Sequence, residues 1–319
     1  MKGAKQTTLR DHATVSGVGV HSGLPVTLSL HPADDDTGIL FQRVSADGSV
    51  EREICADVRA VTATEFATVL GDAKGPLCST AEHLLAALRG LSVDNAVIEL
   101  DGPEVPIMDG SAAAFVDAID QAGLTTRAIP RRYIEVLKPV RVAKDNALGE
   151  LRPYAHGFRV EAEIDFDHPL IGHQALALDI DAVSFRREIA RARTFGFMRD
   201  VSKLWSAGYA LGASFENTLV VSEDRVLNPE GLRFTDEFVR HKVLDAIGDL
   251  ALAGLPLIAA YRTVRGGHRL NHAVLSALMA DKSAWRVIET TAEPARRQRG
   301  GHAGAPAGLA AAAYGPDVS

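Results

Sequence analysis

The segment His241-Lys242-Val243-Leu244-Asp245 sets a histidine and an aspartate four residues apart, inside a run over 236–254 with the apolar spacing of an amphipathic helix. On a helix that separation stacks the two side chains one turn apart on one face, where both can reach a single ion. A second pair, Glu82-His83, opens another predicted helix. Together the pairs offer two histidines and one carboxylate as ligands plus a spare carboxylate, and three protein ligands with an open position make a catalytic rather than a structural zinc site. Neighbouring helix positions diverge by about 100 degrees, so His83 and Glu82 divide the work: His83 faces the ion, and Glu82 stands beside it to take a proton from water. Each piece also has a plainer reading. Ser79-Thr80-Ala81-Glu82 fits a capping box, and His241 with Asp245 fits a helix-surface ion pair. Asp249 continues the line, and two acids and a histidine among Val243, Leu244, Ile247 and Leu250 are costly to bury unless a cation or another histidine compensates them.

His268 lies in Arg265-Gly266-Gly267-His268-Arg269-Leu270-Asn271, a glycine-bearing turn before a helix. By itself it reads as an exposed turn histidine; beside a metal, its protonated form is a general acid that Asp249 could hold in place. The stretch Arg191-Ala192-Arg193-Thr194-Phe195-Gly196-Phe197-Met198-Arg199-Asp200 ends a predicted helix. Its basic residues suit the negative end of a helix dipole, and its functional reading is a substrate wall, with the Thr194 hydroxyl free for an oxyanion and Phe195 and Phe197 as flat faces.

The elements that must position these residues follow from periodicity. Residues 14–43 alternate as a meander of short antiparallel strands, followed by a helix over about 80–89, a strand over 95–100 and a helix over about 112–122. Residues 125–132, polar and containing Pro130, read as a linker. Strands then recur near 133–137, 139–142, 158–166 and 175–178, with a helix over 182–192 and a strand over 218–221. The helix over 236–253, a strand over 257–261 and a helix over 270–280 follow. Strands first and helices later, twice over, read as two α+β halves of similar plan, with no repeat in the letters themselves.

A chain of 319 residues is long enough for two domains, and 46% hydrophobic and 24% charged residues are those of an ordinary enzyme. A net charge of -7 argues against a general nucleic-acid binder. Residues 1–11 lack the apolar core of a signal peptide, and the longest apolar stretch, 250–261, is interrupted by Gly254 and Pro256 and is too short for a bilayer; a cytoplasmic protein without a transmembrane segment is expected. Cys55 and Cys78 give no disulfide framework. The tail over 292–319, with Gly300-Gly301 and an alanine run, reads as disordered.

Four stretches taken together, Ser-Thr-Ala-Glu82-His83-Leu, Pro103-Glu104-Val105-Pro106-Ile107-Met108-Asp109-Gly110-Ser111, Arg-Ala-Arg-Thr194-Phe-Gly-Phe-Met-Arg-Asp and Asp-Glu-Phe-Val-Arg-His241-Lys242-Val-Leu-Asp245-Ala-Ile-Gly-Asp249, resemble the UDP-3-O-acyl-N-acetylglucosamine deacetylase family, zinc amidases of lipid A biosynthesis in Gram-negative bacteria. The resemblance runs over about residues 8–285. It implies two β-α-α-β sandwich domains, 1–126 and 127–291, packed through their helices, with an insert near 58–77 in the first and a βαβ insert near 194–227 in the second. It implies Zn2+, or Fe2+ in the cell, on His83, His241 and Asp245, with Glu82 as general base, His268 as general acid, Thr194 as oxyanion donor and Asp249 as partner of His268. It further implies Lys242 and His268 near the substrate diphosphate and Asp165 and Phe166 near the uridine. Phe195 then lines the substrate wall, and Leu204, Leu211, Ala213 and Val220 line an acyl passage. Glu65, Phe66 and Ala67 depart from the family's more apolar or cysteine-bearing motif, which bears on acyl-chain fit. The partners implied are the acylated UDP-sugar, no nucleic acid, a monomeric state and a regulatory protease acting on the tail.

Two other classes compete. A non-haem Fe(II) oxygenase also uses two histidines and a carboxylate, yet its close histidine-x-carboxylate pair on a strand is absent and it gives Glu82 and His268 no task. A nucleotide-sugar binding protein that has lost catalysis is disfavoured, because each bond-breaking position holds a competent residue.

Overall fold

The structure is a computed structural model that describes residues 4–290; the tail expected to be disordered lies outside the described residues. The first half runs β1 (Lys5–Leu9), β2 (Ala13–Val18), β3 (Pro25–Pro32), β4 (Ile39–Val44) and β5 (Val50–Cys55). A 3-10 turn (Val58–Ala60) and a small sheet of β6 (Val61–Ala63), β7 (Val69–Asp72) and β8 (Gly75–Cys78) follow. Then come α1 (Glu82–Gly90), β9 (Ala96–Leu100), α2 (Ala113–Ala122) and β10 (Leu124–Pro130). Strand formation follows alternation: in β3, Val26, Leu28 and Leu30 are buried while Thr27, Ser29 and His31 turn outward.

The main sheet has the order β2-β3-β9-β4-β5, so the expected meander does not form. β9, whose Ala96, Ile98 and Leu100 are fully buried, lies between β3 and β4. Its parallel pairing with β4 requires a crossover, which α1 supplies.

The second half repeats this plan. Its strands are β11 (Arg132–Val136), β12 (Val140–Lys144), β13 (Ala147–Arg152), β14 (Phe158–Asp165) and β15 (His173–Ile180). A short α3 (Ala182–Ser184) runs into a π-helical turn (Phe185–Ile189) where one helix over 182–192 was expected. β16 (Phe195–Phe197) and β17 (Leu219–Val221) run parallel, with α4 (Val201–Ser206) between them. The half closes with α5 (Glu237–Ala251), β18 (Leu257–Val264), α6 (His268–Ala280) and β19 (Trp285–Glu289). β12, β13, β18, β14 and β15 lie side by side with the same series of pairings as β2, β3, β9, β4 and β5: antiparallel, antiparallel, parallel, antiparallel. The outer strands match as well. β1 pairs with β10 as β11 pairs with β19, and both β1 and β11 make a parallel bridge to the start of the central strand.

Residues 125–132, read as a linker, are instead β10 and the start of β11, with Arg131 alone between them. β-branched Thr125, Thr126 and Ile129 suit a strand, and Pro130 sits at its last position, opposite Lys5, where a missing N–H costs least. The domain junction expected at 126/127 therefore falls inside a strand.

The halves meet through α1 and α5, the most extensive helix pairing in the molecule. α5 is not amphipathic: all of its residues except Arg240 and Lys242 are buried. The helices come close at Gly248, where a Cβ would stand 2.0 Å from the Glu82 carbonyl oxygen.

Candidate metal centre

Burying α5 on all sides forces its polar stripe, Glu237, His241, Asp245 and Asp249, to find partners inside the protein. His241 donates Nδ1–H to the Ala192 carbonyl at 3.0 Å, which fixes the tautomer because a carbonyl only accepts. The bare Nε2 lies 3.2 Å from Asp245 Oδ1, and His83 Nε2 lies 3.6 Å from the same oxygen. The two imidazole rings stand nearly perpendicular, centroids 4.9 Å apart. One ligand atom from each of His83, His241 and Asp245 lies within 4.8 Å of the others, and all three residues are buried.

Burial pushes the His241 pKa down to about 3, so the ring is neutral with a lone pair to give. Burial would raise the Asp245 carboxyl, but the Lys242 ammonium beside it holds it well below its usual range. Among the described residues Asp245 Oδ1 and His83 Nδ1 have no hydrogen-bond partner. A neutral His241, a second buried histidine, an anion and orphaned buried atoms fit a divalent cation.

Glu82 is the first residue of α1 and does not close a capping box: Ala81 precedes it with no side-chain cap, and Thr80, at φ +57, turns its hydroxyl to Glu104 Oε1 at 2.8 Å. Instead Glu82 Oε2 accepts the Thr68 N–H at 3.0 Å, and Oε1 faces His268 Nε2 at 3.8 Å. Burial raises the Glu82 pKa, against the opposing pull of His268 and His83.

His268 is the first residue of α6 rather than part of a preceding turn. Its Nδ1 lies 2.9 Å from Asp249 Oδ2, which also accepts Asn271 Nδ2 at 2.8 Å, while Asp249 Oδ1 accepts the Thr68 hydroxyl at 2.6 Å. Burial alone would push the His268 pKa down; Asp249 and Glu82 reverse it, up to about 10, so the ring is charged at neutral pH. Thr68, Asn271 and Tyr261, whose hydroxyl donates to Asn271 Oδ1 at 2.7 Å, were not foreseen. Asn271 carried a signal, three residues beyond His268 on one helix face; Thr68 carried none.

Of the remaining expected residues, Phe195 and Lys242 touch the ligand side chains. Thr194 is held by its backbone, donating to Gly110 O and accepting from Leu219 N, both at 2.8 Å. Among the described residues its hydroxyl has no hydrogen-bond partner. Next to it Arg193, only 2% exposed, is clamped by the fully buried Glu237 at 2.9 Å and by Glu230 at 2.6 Å. Phe195 packs edge-on against Phe166, centroids 5.7 Å apart, and 6.5 Å from His241. Lys242 is not left free: Nζ donates to Asp245 Oδ2 at 2.7 Å and lies 5.5 Å over the Phe195 ring. Asp165 is likewise engaged, by Arg265. Beyond His268 opens a cleft of about 1060 Å3 edged by Phe66, Lys144, Arg265 and Arg269, three cations the sequence reading passed over. Phe66, from the segment that departs from the motif, is 51% exposed and rests on Tyr209, centroids 4.8 Å apart.

A family profile described as UDP-3-O-acyl N-acetylglycosamine deacetylase matches residues 6–280. Proteins named UDP-3-O-acyl-N-acetylglucosamine deacetylase from Brucella ovis and Brucella abortus are 53% identical over 287 residues, 90% of this chain and 99% of theirs. The protein of that name from Brucella melitensis is 52% identical over the same length. The match takes in both helices that meet at the seam and every residue brought together there, and the chain belongs to the UDP-3-O-acyl N-acetylglycosamine deacetylase family.

Proposed function

We propose that this chain hydrolyses the N-acetyl group of UDP-3-O-(hydroxyacyl)-N-acetylglucosamine to the free amine and acetate, the committed step of lipid A biosynthesis, with zinc on His83, His241 and Asp245. The observation that carries this reading is an acid and a base, His268 and Glu82, facing each other at 3.8 Å beside three buried ligand atoms. Bound there, zinc, or Fe2+ in the cell, supplies a Lewis acid that polarises the amide carbonyl and acidifies water. Glu82 takes the proton from the attacking water; its raised pKa makes it a stronger base than a solvated carboxylate, and the Thr68 N–H aims it. His268, charged and anchored through Nδ1 on Asp249, gives its Nε2 proton to the leaving nitrogen. The unpartnered Thr194 hydroxyl donates to the oxyanion.

Lys242 acts first on Asp245, steadying the carboxylate while its charge faces the diphosphate. Phe195 and Phe166 form the wall against the uridine, and Asp165 joins through Arg265. Lys144, Arg265 and Arg269, set against Glu65 and Asp145 in the same lining, supply the basic groups a diphosphate requires. The proposed enzyme is cytoplasmic and monomeric; no helix among the described residues is long and apolar enough to cross a membrane.

The test is acetate release from the acylated UDP-sugar by the zinc-loaded chain. A fully metallated, folded chain that releases none sinks the proposal, and oxygen consumption in place of acetate release would favour the oxygenase.

A further inference from the structure

At the far ends of α1 and α5 from the metal centre, the halves leave a cleft of about 790 Å3. Ile39, Val58, Leu85, Leu255 and Met279 make its apolar walls. Arg89, in the last turn of α1, borders this cleft and a second cavity of about 250 Å3. Its Nε and Nη1 are shielded from solvent without a hydrogen-bond partner among the described residues. The acid that faces it, Asp94, is already taken by Arg131 Nε at 2.8 Å and by the Thr7 N–H at 2.9 Å.

The acids at the cleft are paired, and the other cation without an acid partner, Lys282, is exposed to solvent. Asp36 meets Arg132 at 2.5 Å, Asp57 meets Arg59 at 2.6 Å, and Lys282 lies 4.5 Å over the Trp285 ring. The negative end of α1 eases the Arg89 charge but provides no acceptor for its side chain. A partly buried guanidinium with two donors shielded and without an acceptor costs stability, and its planar set of donors suits carboxylate and phosphate.

We propose that this cleft is a second ligand site, separate from the metal centre, that takes a small anion with an apolar tail: a carboxylate or phosphate head on Arg89, and the tail along Leu85, Ile39, Leu255 and Met279. Its occupant touches α1 and α6, the helices that begin with Glu82 and His268.

Titration calorimetry on the full, metal-loaded chain tests the site, with sodium octanoate and octyl phosphate as probes and octanol as the uncharged control. The wild-type chain is expected to show a saturable binding step with at least one anionic probe, weakened about tenfold or more in Arg89→Gln, partly restored in Arg89→Lys and missing with octanol. The tighter of the two anions identifies the head group. Binding that survives unchanged in Arg89→Gln belongs elsewhere, for example to an acyl passage, and overturns the proposal, as does octanol matching octanoate or no saturable binding of either anion up to millimolar concentration. A second variant separates binding from packing: Arg89→Met is expected to raise the Tm of the ligand-free chain while losing the binding step. A lowered Tm with unchanged anion affinity makes Arg89 a packing residue and refutes the site.

Discussion

In the first half, α1 carries Glu82 and His83 at its first two positions and is otherwise apolar up to Arg89; in the second, the matching α5 threads Glu237, His241, Asp245 and Asp249 through its whole length. The other helices of the two halves differ in the same sense, since α2 has no ionisable group in its first turn and α6 begins with His268. A helix start presents polar groups at little cost, because its first N–H groups lack partners in any case. A helix interior cannot, and each buried polar residue of α5 is answered in turn. Arg193 answers Glu237, the Ala192 carbonyl answers one side of His241, and Thr68, His268 and Asn271 answer Asp249. Two copies of one strand plan thus support unequal shares of the chemistry, and the more demanding share lies where the surroundings supply partners.

Ligand removal should expose that inequality most strongly. His241→Ala is expected to lower metal affinity by more than the roughly 10–100-fold typical of losing a residue that only supports a ligand, and to abolish turnover; retention of metal under chelator competition would remove His241 from the ligand set. Glu82→Gln and His268→Ala, one from each half, should each lower kcat by about 10²–10⁴ with metal stoichiometry intact. Loss of metal from either would mean that a ligand had been taken for a base or an acid.

Asp249→Asn should cost less, roughly 10–100-fold, and carries a pH signature. His268 holds its proton to about pH 10 in the folded, metal-free chain against 6.5 as its ordinary value. Its ion pair therefore contributes fully below about pH 6.5 and is lost as pH rises toward 10. Melting of metal-free wild type between those limits should show that decline and Asp249→Asn should flatten it, while the alkaline limb of the rate profile moves to lower pH. Equal slopes in the two proteins would separate Asp249 from His268. The smallest effect is at the contact between halves: Gly248→Ala, with its Cβ 2.0 Å from the Glu82 carbonyl, should cost about 1–3 kcal/mol in denaturant unfolding. An unchanged midpoint would mean the helices have room to part.

The spacing of His241 and Asp245 was legible because a helix turns spacing into a face whatever surrounds it, and Glu82-His83 and His268 followed from it. The duplicated sheet was legible only as an order of elements, since strand pairing is set by alternation and register, not by recurring letters. β10 was taken for a linker because its half-exposed position permits Thr125, Thr126 and Arg127, the composition of a loop. Thr68 was invisible for another reason. Its two bonds go to residues 14 and 181 positions away, and only the folded chain brings its amide and hydroxyl to Glu82 and Asp249.

Every strand pairing in the described residues lies within one half. Opening the seam therefore breaks no ladder, but it does break helix packing, backbone bonds such as Thr194 to Gly110 and Ala112 to Ala190, and ion pairs such as Arg186 to Asp120 and Arg233 to Asp109. A bound divalent ion, with one ligand from α1 and two from α5, would act as a rivet between two separately woven panels. Chelation should then speed amide exchange in α1 and α5 while the central strands β9 and β18 stay protected, and equal acceleration in helices and strands would show that the panels come apart only by unravelling together.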